Sequence, residues 1–490
     1  MNEQLRGVLL DAGFLDRDGT VGRKRFARAV TEAAASRGLE RVFTHTYVSR
    51  WLAGTVPRDE ETRACVLQAL GRQLGRAVHP DEVGFALGGG LSPDVGLALP
   101  RSSDEATAAV ATLLQADADD SSVLVDSAVS PTAWTDASLT WLVGARRPHD
   151  EVRRSVDIAD VARLRQTHVR FGSLDNAFGG GHARQALVTY LRHDLPKLLR
   201  ANASDAVRTQ LFAAAAEITQ LAAWSSYDSG RHGLAQRYFI QALGLADVSG
   251  DRALAAGVLD AMSHQATYLG RLHEATNLAR AARLGTDELA SPILSAHFHL
   301  MEARALARAG DAAACDAAMS AAVSAFDRHA VGDGPEWIQY FDEAEFAAEL
   351  AHCHRDLGRP AEAIEWATAA VDAASGDYAR SDFFVTMVLA HAQLDAGHPE
   401  AGAETALRAL EFGETLHSAR GAQYVRELRE RLPRFRGSRA LAGFADQARH
   451  GRLWQEISTG TSRAGKPPSG WPQSAWPPRV RSVPRSRPGY

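Results

Sequence analysis

Two short strings carry residue types that bind metals, His297-Phe298-His299 and His352-Cys353-His354. A helix offers zinc its paired ligands from positions i and i+4, which share a face, whereas i and i+2 diverge. Both strings therefore read as ordinary helix residues, and no metal or other cofactor is expected. Asp342, Glu343, Glu345 and Glu349 could pair as general acid and base, but no nucleophile or cofactor loop accompanies them. They read better as an acidic surface, solvated or facing a partner. Gly179-Gly180-Gly181 invites a phosphate-loop reading. That chemistry requires a preceding strand and a following Lys-Ser or Lys-Thr, and neither is there. The expectation is a protein that is not an enzyme, with a hydrolase or transferase hidden in residues 91–200 as the remaining catalytic alternative.

The elements around these residues repeat. Five alanine-rich helical stretches each run into a turn glycine, at Gly230, Gly270, Gly310, Gly358 and Gly397, and a second helix follows. The intervals are 40, 40, 48 and 39 residues. Five positions after each glycine stands a small residue, Ala235, Ala275, Cys315, Ala363 or Gly402, where two helices can approach closely. Seven further on come Ala242, Ala282, Ala322, Ala370 and Ala409. Such a period marks a helical solenoid, in which each hairpin buries its apolar side only against its neighbours. Solenoids present long binding surfaces, so binding is the expected work of this region.

Counting each turn glycine as the fifteenth position of its unit defines one flank of the first helices. The ninth position is Trp224, His264, Arg304, His352 and His391; the thirteenth is Asp228, Tyr268, Arg308, Asp356 and Asp395. A purely structural flank has no need of so many aromatic and ionisable groups. One reading makes this row a groove for a peptide, a small molecule or a protein partner. The other has the side chains solvated or hydrogen-bonded within the chain.

The 490 residues suffice for two or three domains, and 45% hydrophobic with 23% charged content is that of a globular protein. Cys65, Cys315 and Cys353 are too few and too far apart for a disulfide framework or a zinc spacing, which points to a reducing cytoplasm. No leader pattern and no apolar run of about 18 residues occurs, so no membrane association is expected. The net charge of −5 is unevenly spread. Residues 23–58 hold eight basic side chains against two acidic ones, and residues 457–490 hold six against none. A basic segment on an acidic protein suggests a nucleic-acid partner.

The sharpest motif lies in that basic segment, Thr44-His45-Thr46-Tyr47-Val48-Ser49-Arg50-Trp51-Leu52-Ala53-Gly54-Thr55-Val56-Pro57-Arg58. Val48 and Trp51, three apart, can anchor a helix that starts near Thr44 and stops at Gly54. Thr44, His45, Thr46, Tyr47, Ser49 and Arg50 would then face outward. Arg50 can grip a guanine edge and Thr46 can touch a thymine methyl. Arg23, Lys24, Arg25 and Arg58 would lie near phosphates and add affinity without reading sequence. The alternative is a small capping domain whose polar side chains are merely solvated.

The motif resembles the third helix of an XRE-like, Cro/lambda-repressor-type helix-turn-helix. Ala27 matches the usual position on helix two, but more residues separate it from Ser49 than that family allows. Helix two or its turn must be extended, through Ser36-Arg37-Gly38-Leu39-Glu40.

Further strings extend the resemblance: Leu174 to Arg184, Tyr227 to Phe239, Met262 to Ala266 and Glu336 to Glu345. With the head motif they are similar to actinobacterial regulators that join a helix-turn-helix to a tetratricopeptide (TPR) array, the NsdA-type developmental regulators. The period here exceeds the usual ~34 residues of a TPR hairpin. The resemblance implies an all-α transcriptional regulator, an N-terminal helix-turn-helix domain followed by a TPR-like α-solenoid, repressing development or secondary metabolism. It further implies double-stranded DNA as partner and a homodimer whose two heads read half-sites.

The expected organisation is a DNA-binding domain over 1–90, a helical linker region over 91–150 and a hairpin over 151–200. About five repeats over 201–435 follow, then a C-terminal helix over 436–455. The Pro- and Arg-rich stretch 456–490 is expected to be disordered. The rival to DNA regulation is a TPR adaptor that binds a regulatory protein without specific DNA binding.

Overall fold

The computed structural model describes residues 2–458 except 17–19, 38, 58, 75–77, 79, 84–91, 93, 120, 122–123, 125–126, 144–155, 375–378 and 436. The basic stretch 459–490 and Arg58 lie outside the described residues. Among those described, the protein is all-α, with 21 α-helices and one isolated bridge between Leu15 and Val21. No described helix is long and apolar enough to cross a membrane. The chain divides into two compact units at residue 92.

The first unit holds α1 (Glu3–Asp11), α2 (Arg23–Ser36), α3 (His45–Leu52) and α4 (Glu60–Leu74). Its core joins Leu5 and Leu9 of α1, Phe26 and Val30 of α2, Val48 and Trp51 of α3, and Val66 and Leu70 of α4. Phe26 meets Phe14 edge-on at 5.0 Å. Asn2 caps α1 by accepting the Leu5 N–H, and Asp59 accepts the Thr62 N–H at 2.8 Å at the entry to α4.

In the second unit come α5 (Ser103–Ala118), α6 (Pro131–Val143), α7 (Ile158–Phe178) and α8 (Gly180–Leu199). Five hairpins follow: α9 (Asp205–Asp228) with α10 (His232–Ser249), α11 (Arg252–Tyr268) with α12 (Leu272–Gly285), α13 (Pro292–Ala309) with α14 (Ala312–Phe326), α15 (Glu343–Asp356) with α16 (Pro360–Ala373), and α17 (Ala379–Asp395) with α18 (Pro399–Phe412). The described residues close with α19 (Ala419–Arg431), α20 (Arg439–Ala448) and α21 (Arg452–Ser458).

The five turns are alike for a backbone reason. Gly230, Gly270, Gly310, Gly358 and Gly397 all have positive φ, between 69° and 84°, which only glycine adopts without steric cost. The following residue then returns its N–H to a carbonyl five positions back, as Arg231 does to Ser226 at 2.9 Å and His398 to Gln393 at 2.9 Å. This is the Schellman closure. Beyond each turn the small residue packs where predicted: Ala235, Ala275, Cys315 and Ala363 are fully buried. A Cβ on Gly402 would lie 2.7 Å from Leu394 Cγ. Consecutive hairpins stack, so the solenoid expectation holds.

Residues 91–150, expected to form a helical linker region, supply two helices to the second unit. Gln236 of α10 holds both backbone groups of Ser130, at 2.8 and 2.6 Å. Gln241 donates to the Gly96 and Ala98 carbonyls. Gly233 and Gly244 leave room on α10 for Ser127 and Pro100. Trp134 and Trp141 lie on the buried side of α6. The partners of this stretch lie 67 residues or more along the chain, as Arg184 does from Asp117 and Gln236 from Ser130. Helix α7 runs through Gly172 to Phe178 and breaks only at Gly179.

Candidate functional site

In the first unit the division of α3 into two faces is as predicted. Val48 and Trp51 are buried, while Thr44, His45, Thr46 and Arg50 are exposed and Ser49 is partly so. Tyr47 is intermediate in role. Its ring packs on Phe43 at 5.7 Å and on Trp51 at 6.2 Å, and 45% of the residue remains exposed.

Arg23, Lys24 and Arg25 open α2 on the surface. Arg23 donates to Ser49 Oγ at 3.3 Å, linking the start of α2 to the exposed flank of α3, and Arg25 donates to the Leu15 carbonyl at 2.9 Å. Two further cations of the basic segment are matched: Arg41 pairs with Asp59 at 2.6 Å and Glu61 at 3.4 Å, and Arg28 with Glu32 at 3.2 Å. Arg50 has no side-chain partner among the described residues. Lys24, Arg28, Thr31, Val42 and His45 line a shallow cleft between α2 and the start of α3. The connection from α2 to α3 spans 37–44, so most of the predicted extension lies in the link.

In the second unit the residues of the predicted row do converge, but their flank is filled from within the chain. Helix α19 lies against it. Tyr424 packs on His352 (6.1 Å), stacks on His391 (6.1 Å) and meets Phe384 edge-on (5.0 Å), with the Arg355 guanidinium 5.4 Å over its ring. Arg420 sits between two rings, 4.8 Å from Tyr227 and 4.6 Å from Phe384.

The remaining members of the row are placed as follows. Asp228 accepts the Gly180 N–H (2.9 Å) and the Ser418 hydroxyl (2.8 Å). His264 shares a hydrogen bond with the Tyr227 hydroxyl (3.1 Å) and lies edge-on to Trp224 (5.3 Å). Tyr268 packs on Tyr227 and His232. Arg304 is ion-paired with Glu349. Asp356 pairs with Arg355 at 2.7 Å, and Arg308 is close enough to help keep its carboxylate charged. Asp395 takes Arg431 at 3.2 Å and Arg434 at 3.3 Å. Ion pairs and hydrogen bonds within the chain hold Asp228, His264, Arg304, Asp356 and Asp395, whereas Trp224, His352 and His391 meet aromatic rings.

Beside the row, His297 lies between the Tyr340 hydroxyl (3.0 Å from Nε2) and Asp260 (3.2 Å from Nδ1). Burial opposes charge on His297, but Asp260 outweighs it, so the imidazolium is held above its ordinary range. Burial, with Glu349 adding repulsion, lifts the Glu345 carboxyl to about 7. The other row histidines move the opposite way. Burial and then Arg420 depress His264, burial and Arg304 depress His352, and burial and Arg431 depress His391.

The Gly179-Gly180-Gly181 string also acquires a role. The N–H of His417 donates to the Phe178 carbonyl (2.7 Å), and the Gly181 N–H returns to the His417 carbonyl (3.0 Å). A Cβ on Gly179 would stand 2.9 Å from that oxygen, and one on Gly180 2.5 Å from the Ser225 carbonyl. Arg380 of α17 completes the seam on Asp175, which also accepts from Ser225 Oγ at 2.7 Å. The start and the end of the array are clasped together.

Sequence reasoning missed Arg420, Tyr424, Phe384 and Tyr227. Arg420 and Tyr424 fall outside the repeat register, and the one available signal was an arginine and a tyrosine one helical turn apart on a strongly charged helix.

Residues 15–86 match the sequence model of the SP15 N-terminal domain family, which spans most of the first unit. No curated protein and no solved structure matches the chain.

Proposed function

We propose that the protein is a DNA-binding transcriptional regulator, a repressor of development or secondary metabolism, whose repeat array mediates self-association or partner binding in the cytoplasm. The observation that carries the reading is the two-faced α3. Val48 and Trp51 fix it to the core, while Thr44, His45, Thr46, Tyr47, Ser49 and Arg50 face outward beside Arg23, Lys24 and Arg25. A helix so anchored can enter a major groove with Arg50 at the base edges and the α2 cations at phosphates. A partner can then alter DNA affinity only through differential affinity for the competent and incompetent arrangements.

A mobility shift with promoter fragments from around its own gene, titrated with salt, tests the reading. Sequence-selective retardation that weakens with salt and is reduced by Arg50→Ala supports it.

One observation favours the rival adaptor reading. The eight residues between α2 and α3 exceed the 3–4-residue turn of a helix-turn-helix. Absence of selective retardation, with Arg50→Ala without effect, would hand the function to an adaptor that binds a regulatory protein.

A further inference from the structure

Two links between hairpins face one another on the surface of the second unit. Residues 286–291 join α12 to α13, and residues 327–342 join α14 to α15. Between them lies an open groove of about 400 Å³, walled by Ala253, Leu289, Pro292 and Leu294 with Gly334 and Pro335. The longer link is fixed in place at two points. Trp337 covers Gly257 of α11, where a Cβ would stand 2.6 Å from its ring. Gly334, with φ of 83°, lies so close to α13 that a Cβ would stand 2.7 Å from Ile293. The groove is therefore formed in advance, and its apolar wall meets solvent. Leu289 is 47% exposed, and Val331, two residues before Asp333, is fully exposed.

Carboxylates ring this groove. Asp333 lines it beside Gly334, Asp287 and Glu288 precede Leu289, Glu336 follows Pro335, and Asp251 stands two residues before Ala253. Asp287, Glu288 and Glu336 are exposed, and none of the five makes an ion pair among the described residues. Their field extends to Glu217: burial raises its carboxyl against the pull of Arg165, and Glu336 and Asp251 push it further up. The adjacent cation Arg252 is turned to the Trp141 ring at 4.4 Å and the Gly285 carbonyl at 3.0 Å.

An apolar groove with an acidic rim selects a segment that carries apolar side chains and cations but no acid. The chain contains one. Residues 459–490 hold Arg463, Lys466, Arg479, Arg481, Arg485 and Arg487 and no Asp or Glu, with Trp476-Pro477-Pro478 directly before Arg479. The last described helix ends at Ser458. From there to Trp476 an extended chain spans up to about 60 Å. Packed helices stand about 10 Å apart, so the segment can reach back across the intervening hairpins. Tethered to the unit it binds, it needs only a modest affinity of its own.

We propose that this groove docks residues 459–490 of the same chain, with Trp476, Pro477 and Pro478 against its apolar wall and Arg479 and Arg481 at its carboxylates. The contact involves no residue of the head, so loss of DNA binding leaves it standing.

Photo-crosslinking of the full-length chain, carrying p-benzoylphenylalanine in place of Trp476, tests the contact. Irradiation at about 0.05 M salt should join position 476 mainly to residues 286–294 or 331–338 of the same chain, and at about 0.5 M salt the yield should fall several-fold. Glu288→Arg with Glu336→Arg reverses two exposed charges and should cut the yield at least about tenfold at unchanged circular dichroism. Adding Arg479→Glu and Arg481→Glu should restore it, a rescue that mere damage to the groove would not allow. Crosslinks that map elsewhere, no crosslink at all, or products joining isotopically light and heavy copies each overturn the proposal. So does a yield indifferent to the charge reversal.

Discussion

Ser418 donates its hydroxyl to Asp228 at 2.8 Å across 190 positions of chain. The same serine caps α19 by accepting the Gly421 N–H at 3.0 Å, while Asp228 also receives the Gly180 N–H. One carboxylate thus joins the first hairpin, the helix before it and the helix after the last hairpin. Ser418→Ala removes a cap, worth about 1 kcal/mol, and a hydrogen bond to a buried charge, worth about 1.5 kcal/mol or more. It should lower the unfolding free energy of this unit by roughly 2–3 kcal/mol in urea denaturation followed by circular dichroism. Asp228→Ala should cost more, because two buried donors lose their acceptor.

Two glycines in neighbouring helices should respond oppositely to the same change. Nothing lies within 4 Å of a Cβ on Gly172, inside α7, so Gly172→Ala should raise the melting temperature through helix propensity worth up to about 1 kcal/mol. Gly180→Ala places its methyl against the Ser225 carbonyl and should lower it. Thermal melts of the pair check the expectation; equal shifts would mean that the clasp yields without cost.

Arg184 Nη1 donates to both carboxylate oxygens of Asp117, at 2.7 and 2.9 Å, both side chains are nearly inaccessible, and the Tyr238 hydroxyl adds a 2.6 Å bond to Asp117. Removing one partner leaves the other charge buried. Asp117→Ala is expected to destabilise by about 3–5 kcal/mol, whereas Tyr238→Phe should cost about 1 kcal/mol. Denaturation midpoints at constant slope distinguish the two.

Acid should loosen the repeats through their histidines. Burial, reinforced by Arg420, pushes His232 down to about 4, and His264, His352 and His391 are depressed in the same sense. Unfolded histidines titrate near 6.5, so between about 4 and 6.5 the unfolded chain binds the additional protons. Stability therefore rises with pH through that window and is lost as pH falls, by at most about 1.4 kcal/mol per pH unit for each histidine. Glu345, raised to about 7, works against this trend, because its neutral form favours the fold. Urea midpoints measured from pH 7 to 4.5 should fall, and His391→Gln should flatten the slope.

On the head, Arg50→Ala and Lys24→Ala should separate specificity from affinity. The first is expected to lose about 1–3 kcal/mol on the preferred sequence and little on random DNA. The second should weaken both alike and shallow the salt dependence by about one charge. Trp51→Ala, by contrast, should unfold the head by about 3–5 kcal/mol, seen in its melting and not as a base preference.

The local parts of this protein were legible in its residues. A turn that needs positive φ selects glycine wherever it occurs, and a close helix crossing selects a small side chain five positions later. The five hairpins and the buried Val48 and Trp51 of α3 follow from such nearest-neighbour rules. Which side chains fill the flank of the first helices did not follow, because α19 carries no repeat and its register on the array is fixed by packing. The glycine triplet shows the division well. Its sequence announced a close backbone approach, but whether phosphate, substrate or chain would approach depended on residue 417, over 200 positions away. Short-range stereochemistry is written in adjacent residues, whereas the meeting of Gly180, Asp228 and Ser418 exists only after the array has wound far enough to bring its ends together.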